Sequence, residues 1–324
     1  MFNKVTTSVR ILAAAGVEEA ASGHPGMPLG MADVGTVLYK KFLKVSTHNP
    51  SWINRDRFVL SPGHGSMLLY SLLHLNGFDL TTEDLRNFRQ HNSKTPGHPE
   101  LDSSLGIDMT TGPLGQGFST GVGFALAEKY LSELLGEDMI DHFTYGIVSD
   151  GDLMEGVSFE AAELAGVWQL GKLIYVFDNN NISIDGRVTK VSITDQKKKF
   201  ESIGWHVLEI DAHNEDEINQ ALESAKLVTD KPSIIMAKSI IGKYAPNKQD
   251  TSGVHGSPLG SEEMEKFKEN LQWEGDVFQH DVEVYDYFAE KRDQDNSQFS
   301  DWEKSFKAKY NNDEKFQKNW DLLT

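Results

Sequence analysis

The sequence contains no cysteine, which excludes disulfides and thiolate metal sites. A cytoplasmic location is compatible with that absence. It has no hydrophobic run approaching the length of a bilayer span. The first residues, Met1-Phe2-Asn3-Lys4-Val5-Thr6-Thr7-Ser8, lack the apolar core of a secretion signal. Positive charge is also scarce. The 31 Lys and Arg stand against 49 Asp and Glu, a formal net charge of −18, which argues against general binding to nucleic acid or to an anionic membrane. The acidic excess is read as a solvated surface. What is present is a chain of 324 residues, 39% of them hydrophobic. That is enough core for one large domain with an appendage, or for two domains. No internal repeat is visible.

One stretch organises the rest. Phe143–Val148 and Leu173–Phe177 are apolar runs rich in β-branched and aromatic residues, and read as buried strands of a parallel sheet. The Ala-rich segment between them has helical spacing, which makes a strand–helix–strand unit. Polar residues sit where each strand stops: Ser149-Asp150-Gly151 after the first, Asp178-Asn179-Asn180-Asn181 after the second. In an open α/β sheet ligands bind at those carboxyl ends. Asp150, Asn180 and a nearby main-chain carbonyl, that of Ile182, are hard oxygen donors. They suit Mg²⁺ or Ca²⁺, with phosphate oxygens and water completing the shell. The competing reading is that Asp150 caps a helix and Asn180 a turn.

Along the chain, Val5–Ala21, Met31–Phe42, Ser66–Leu75 and Gly115–Leu135 have helical periodicity, and Arg57–Leu60 reads as a short strand. Thr81 and Asp84 form an N-capping pattern before Leu85. Residues 91–106, polar and rich in Pro and Gly, predict an ordered functional loop. After the central unit, helices over Thr194–Gly204 and Asn214–Leu227 flank a strand at Trp205–Ile210, and Ser233–Ala237 is the last clear strand. The composition then changes near Gly260, where β-branched runs give way to alternating charged and aromatic residues. Glu262–Leu271 and Ser300–Tyr310 read as exposed amphipathic helices. The expectation is an open, mainly parallel α/β sheet with helices on both faces over residues 1–260, and an acidic helical linker or arm over 261–324.

Four histidines, His24, His64, His98 and His255, each have glycine beside them. Glycine lets backbone and ligand approach closely, and imidazole exchanges protons with hydroxyls and carbonyls near neutral pH. His48, His74, His91, His142, His206, His213 and His280 are taken as structural. The glycines of Gly115-Gln116-Gly117 only partly match a dinucleotide fingerprint, because no strong strand precedes them and the third glycine is missing. Glu155, Glu160 and Glu163 sit on the central helix, where an exposed charged face is the simplest reading.

Asp-Gly, about thirty residues, then Asn-Asn resembles the diphosphate-binding motif of thiamine diphosphate enzymes. The blocks around it resemble one family among these, the transketolases. They are Ser22-Gly23-His24-Pro25-Gly26, Ser61-Pro62-Gly63-His64-Gly65-Ser66, Lys94-Thr95-Pro96-Gly97-His98-Pro99-Glu100, Thr111-Gly112-Pro113-Leu114-Gly115-Gln116-Gly117 and Val254-His255-Gly256-Ser257-Pro258-Leu259. The resemblance covers nearly the whole chain and implies ketol transfer, a two-carbon unit passing from a ketose to an aldose phosphate. It implies thiamine diphosphate with Mg²⁺ or Ca²⁺ held by Asp150, Asn180 and Ile182. His64, Gly112, Leu114, Gly151, Asn180 and His255 would contact the cofactor. His24 and His98 would contact the sugar phosphate, and His64 and His255 would lie between diphosphate and substrate. Glu155 would join a carboxylate network at a subunit interface.

The resemblance also implies that a pyrimidine-binding domain is needed. The sequence stops at Thr324, after a segment resembling the linker that leads to that domain. The expectation is therefore half an active site, completed by a pyrimidine-binding transketolase C-terminal chain in a homodimer or heterotetramer. Several positions depart from the family pattern: Ser149 stands for Gly, Asp152 for a small or neutral residue, Asn179 for Asp, and Lys243-Tyr244-Ala245 for a Gly-Phe-Gly-like run. These departures motivate the alternative of a non-catalytic binding module with the same fold. Another thiamine diphosphate enzyme, such as a deoxyxylulose-phosphate synthase or a 2-oxo-acid dehydrogenase subunit, is a further alternative, and an NAD dehydrogenase a distant one.

Overall fold

The computed structural model of the protein describes residues 1–323. Two helices, α1 (Phe2–Glu19) and α2 (Gly26–Val37), precede the first strand, β1 (Arg57–Leu60). Next come α3 (Ser66–Leu75), the short α4 (Thr82–Arg86), the loop over residues 91–106, and α5 (Gln116–Leu135). The central unit is β2 (Thr144–Ser149), α6 (Asp150–Met154), α7 (Gly156–Val167) and β3 (Leu173–Asn179). A small hairpin of β4 (Ile182–Ser183) and β5 (Gly186–Arg187) leads to α8 (Gln196–Ser202), β6 (His206–Asp211), α9 (Glu215–Lys226) and β7 (Ser233–Lys238). Past Gly260 the chain is helical: α10 (Ser261–Asn270), α11 (Val282–Asn312) and α12 (Glu314–Asp321).

Five strands make one sheet in the order β1-β2-β3-β7-β6, with every pairing parallel. Both faces of the inner strands are covered, which is why β2, β3 and β7 read as nearly unbroken apolar runs, whereas the edge strand β6 is only partly buried. Alternate residues supply opposite cores. Tyr145, Ile147, Ile174 and Val176 pack toward α1, α2, α3 and α9, while Val148, Leu173, Tyr175 and Phe177 pack toward α5, α7 and α8. The fit is tight on the second face. A Cβ added to Gly166 of α7 would lie 1.9 Å from the Ile203 carbonyl oxygen, so only glycine lets this helix sit against the turn after α8.

Three differences from the sequence reading have physical causes. α2 starts at Gly26 rather than Met31, because Pro28 falls in the first turn, where its missing N–H leaves no partner unmet. The helix between β2 and β3 is broken at Glu155, whose ψ of 139° is extended and which ends α6 and caps α7. α11 runs for 31 residues, far beyond Ser300–Tyr310, and its polar sequence is held by tertiary contacts. Phe267, Phe278, Val284 and Phe288 from the helical C-terminal part are buried in the main core, each such ring or branched side chain contributing about 1.5–3 kcal/mol. Phe316 joins a separate cluster with Leu135, Met139 and Ile140 at the end of α5. The Thr81–Asp84 capping box forms as read, with the Asp84 N–H donating to Thr81 Oγ1 (3.1 Å) and the Thr81 N–H to Asp84 Oδ2 (2.7 Å). Among the described residues no helix is long and apolar enough to cross a membrane.

Candidate active site at the strand tips

The parallel register pairs Ser149 of β2 with Asp178 of β3. The residues that follow, Asp150 and Asn180, therefore leave the sheet side by side. The main-chain N–H of Asn181 donates to the Asp150 carboxylate, which ties the two tips together directly. Asn181 itself adopts a left-handed conformation, φ 59°, one that a short amide side chain tolerates.

Asn180 is fixed by its neighbours. Its Nδ2 donates to Asp178 Oδ2 (2.9 Å), and its Oδ1 accepts from the Ile182 N–H (2.8 Å). Asp178 is buried, and Ser239 Oγ donates to its other oxygen. Burial raises the Asp178 carboxyl to about 6 despite those two donors. Burial and the charge of Asp178 raise Asp150 to about 7, only partly offset by the Asn181 N–H. Asp150 Oδ2 is buried with no hydrogen-bond partner among the described residues. Two neighbouring buried carboxylates, one with an orphan oxygen, beside an oriented amide oxygen, fit a divalent cation that would remove both penalties at once.

Asp152 does not crowd this group. It is fully buried and turned the other way, accepting from Ser149 N (2.9 Å), Ser149 Oγ (2.9 Å), Ser61 Oγ (2.8 Å) and Gly115 N (2.9 Å). Ser149 Oγ also accepts from the Asp152 N–H (3.4 Å), completing a capping box at the start of α6. The departures at Ser149 and Asp152 are thus one paired feature. Through Ser61, whose Oγ accepts from the Phe118 N–H (2.9 Å), the pair ties the end of β1 and the start of α5 to the Asp150 loop.

The four glycine-framed histidines converge. The ring centroid of His24 lies 5.1 Å from that of His64, 6.3 Å from His98 and 5.7 Å from His255, and His64 and His255 are 5.0 Å apart. Gly112, at φ +151°, lies against His98: an added Cβ would sit 3.3 Å from its ring. Burial, then the neighbouring imidazoles and Arg89, lowers His24 to about 4. Burial and the other three rings lower His64 to about 3. Burial also lowers His98 and His255. The cluster is therefore uncharged at neutral pH, able to accept as well as donate hydrogen bonds. In a histidine NMR titration His24 and His64 should remain unprotonated at pH 5, well below the ordinary 6.5. Either ring titrating near 6.5 would mean that the cluster is open to water.

One cavity of about 320 Å³ holds nearly all of these groups. His24, His64, His98, His255, Gly112, Leu114, Asp150, Gly151, Asn180 and Ile182 line it. Glu155 does not. It is exposed at the junction of α6 and α7. Sequence reasoning missed Met27, Asp178, Ser183, Ile184 and Ile241, which also line the cavity. It also missed Arg89, whose Nη1 donates to Ser22 Oγ (2.6 Å) and whose buried Nε has no partner among the described residues. Its place in the Phe88-Arg89-Gln90-His91 run before the Thr95–Glu100 block was the available signal.

Known proteins resemble this chain over nearly its whole length. A family model described as "Transketolase, thiamine diphosphate binding domain" matches residues 2–321. Transketolase 1 of Escherichia coli is 48% identical over 309 residues, covering 94% of this chain and 46% of that protein. Transketolase of Bacillus subtilis is 48% identical over 319 residues, covering 94% and 47%. Among solved structures, transketolase from Leishmania mexicana superposes with a TM-score of 0.94 at 38% identity, covering 98% of this chain and 48% of that one. A Pichia stipitis transketolase in complex with sedoheptulose 7-phosphate superposes with a TM-score of 0.92 at 41% identity, covering 96% and 46%. The chain spans about half the length of the curated relatives it matches.

Proposed function

The chain belongs to the transketolase family through its thiamine diphosphate binding domain, and from that premise we propose that it is the diphosphate- and metal-binding half of an enzyme moving a two-carbon ketol unit from a ketose phosphate to an aldose phosphate. The observation that carries this reading is one cavity lined both by four uncharged histidines and by a buried carboxylate with an orphan oxygen. The sedoheptulose 7-phosphate complex of the Pichia stipitis relative supports phosphorylated sugars as the substrate class.

Asp150, Asn180 and the Ile182 carbonyl would hold Mg²⁺ or Ca²⁺. Gly112, Leu114, Gly151, Asn180, His64 and His255 would receive the diphosphate end of the cofactor. Bound thiamine diphosphate supplies the electron sink that carbon–carbon cleavage requires. The chain's own part is to bind, orient and move protons. His24 and His98 hold the sugar hydroxyls, and their neutral rings accept or return the hydroxyl proton. His64 and His255 do the same for oxygens nearer the diphosphate. Leu114, Met27 and Ile241 exclude water from the cavity.

A pyrimidine-binding transketolase C-terminal chain completes the site in this reading, in a homodimer or heterotetramer, and residues 261–324 serve as the linker that leads toward it. The exposed side chains of Val157, Leu164 and Val167 on α7, beside Met154 and Glu155, support a partner subunit on that face. Mixing the chain with the pyrimidine-binding half, thiamine diphosphate and Mg²⁺ should create ketol transfer that neither half shows alone. If the chain binds cofactor yet no pyrimidine-binding half brings activity, the reading fails.

A further inference from the structure

At the opposite end of the sheet from the histidines lies a second cavity, of about 530 Å³. Its walls carry Lys40, Lys41, Lys44, Lys226 and Lys291. Five ammonium groups around one cavity are unexpected in a chain of net charge −18.

Most nearby carboxylates are already committed. Asp295 is paired with Lys291 (2.5 Å), and Asp141 with Lys172 (2.8 Å). Asp56 accepts from the main-chain N–H groups of Lys44 (2.9 Å) and Phe143 (2.7 Å). Lys41 approaches Glu215 only at 3.5 Å. Glu290, like Asp141, is an exposed acid on the rim. Lys40 and Lys226 form no ion pair among the described residues. Lys40 Nζ lies 4.9 Å from the Tyr287 ring centroid, and Lys226 Nζ 5.2 Å and 6.0 Å from those of Phe143 and Phe42. Lys44 Nζ donates to the Asp141 carbonyl oxygen (2.5 Å), and burial lowers its pKa.

The backbone presenting Lys40 and Lys41 is itself irregular. α2 ends in a π-helical turn, Leu38–Phe42, in which the Leu43 N–H donates to the Leu38 carbonyl five residues back (2.9 Å). Such turns are rare and occur mostly at functional positions. The opposite wall is held in place: α11 receives the Ser46 hydroxyl on Asn296 Oδ1 (2.8 Å) and the Val45 N–H on Asp295 (3.3 Å).

We propose that this cavity binds a phosphorylated small molecule. A phosphate monoester carries about −1.5 to −2 charge at neutral pH, which matches the lysines left without carboxylates. Lysine grips phosphate as a point charge. Phe42 and Phe143 on the wall offer apolar faces to a carbon skeleton, and the volume lies in the range of small-molecule sites. The inference is independent of the catalytic reading, since no residue is shared between the two cavities.

The test is calorimetric titration of the full chain with inorganic phosphate and with glycerol 3-phosphate, at low salt so that screening is weak. Saturable binding with a Kd below about 10 mM is expected, weakened about tenfold or more in the Lys40→Gln/Lys226→Gln double variant. Both side chains reach solvent, so the variant should melt as the parent does. Tighter binding of glycerol 3-phosphate than of inorganic phosphate would support the carbon-bearing ligand. Absence of saturable binding by either ligand overturns the proposal. So does binding that survives in the lysine variant and disappears in His98→Ala, which would place the anion in the histidine cavity.

Discussion

Replacing Asp150 by asparagine is expected to raise the melting temperature of the chain without ligand and, in the same variant, to weaken Mg²⁺-dependent binding of inorganic diphosphate about 100-fold. The two effects have one origin. Asp150 is buried beside Asp178, and its Oδ2 has no partner among the described residues. The folded chain holds the Asp150 proton more tightly than the unfolded chain does. Stability therefore falls as the pH rises from 3.8 toward about 7, and the loss is complete above that. A raised carboxyl of that size corresponds to a cost on the order of 4 kcal/mol at pH 8. Asparagine keeps the shape and removes the charge, so the cost disappears. It also removes the anionic donor a divalent cation needs.

Inorganic diphosphate is the informative ligand because its binding does not require a grip on the pyrimidine ring. Thermal melts at pH 8 and calorimetry with and without Mg²⁺ would measure both halves of the effect. An unchanged diphosphate affinity in Asp150→Asn would remove Asp150 from the cation site. An unchanged melting temperature would show that water or another group already relieves the buried charge. A variant that gains stability while losing ligand affinity is hard to explain by damage to the fold, and this separates a functional carboxylate from a structural one.

Much of this site was legible because its signals are local. Two apolar runs fixed the strands, and the polar residues at their ends marked where a ligand would sit. Glycine beside each of His24, His64, His98 and His255 marked loops that must approach something closely. The features that stayed hidden are those whose partners are distant in sequence. Asp152 reads as an extra charge near the cation until Ser61 and Gly115 are seen donating to it. Asp178 closes an apolar run as one polar residue among four, and only the fold reveals that it faces Asp150 and orients Asn180. The break at Glu155 falls just before Gly156, a poor helix former whose signal the Ala-rich segment downstream masked. The bend is held locally: Ser158 Oγ donates to the Asp152 carbonyl (2.6 Å) across it. The full length of α11 was hidden for the converse reason. Its sequence is polar over most of its surface, and its buried contacts, among them Phe288 and Asn296, are too widely spaced to set a periodicity.

A second large effect is expected far from any ligand. Asp33→Ala should cost about 3–5 kcal/mol of stability, because it strands a buried cation. Arg10 is 2% exposed and donates through Nη2 to Asp33 Oδ2 at 2.5 Å and through Nε to the Leu29 carbonyl at 2.9 Å. His213 Nδ1 meets the same carboxylate oxygen at 2.9 Å, and its Nε2 accepts from the Ile240 N–H at 3.2 Å. The imidazole is therefore held as the tautomer with its proton on Nδ1. Burial alone would raise the Asp33 carboxyl, but the hydrogen bond from His213 and the charge of Arg10 outweigh it and hold the group below its usual 3.8. Its contribution is present above that value and is lost only as the pH falls through the depressed one. The carboxylate joins α1, α2, the loop before α9 and the segment after β7. That last segment carries Ile241 into the histidine cavity and Tyr244, at φ 74°, under the Arg10 guanidinium, 5.2 Å from its ring centroid. Urea melts of Asp33→Ala should show the full cost. An Arg10→Met/Asp33→Leu double variant, which removes both charges and fills the space, should recover most of it. A single-variant cost below about 1 kcal/mol would mean that Arg10 finds water or a new partner, and that the anchor of the Ile240–Tyr244 segment lies elsewhere.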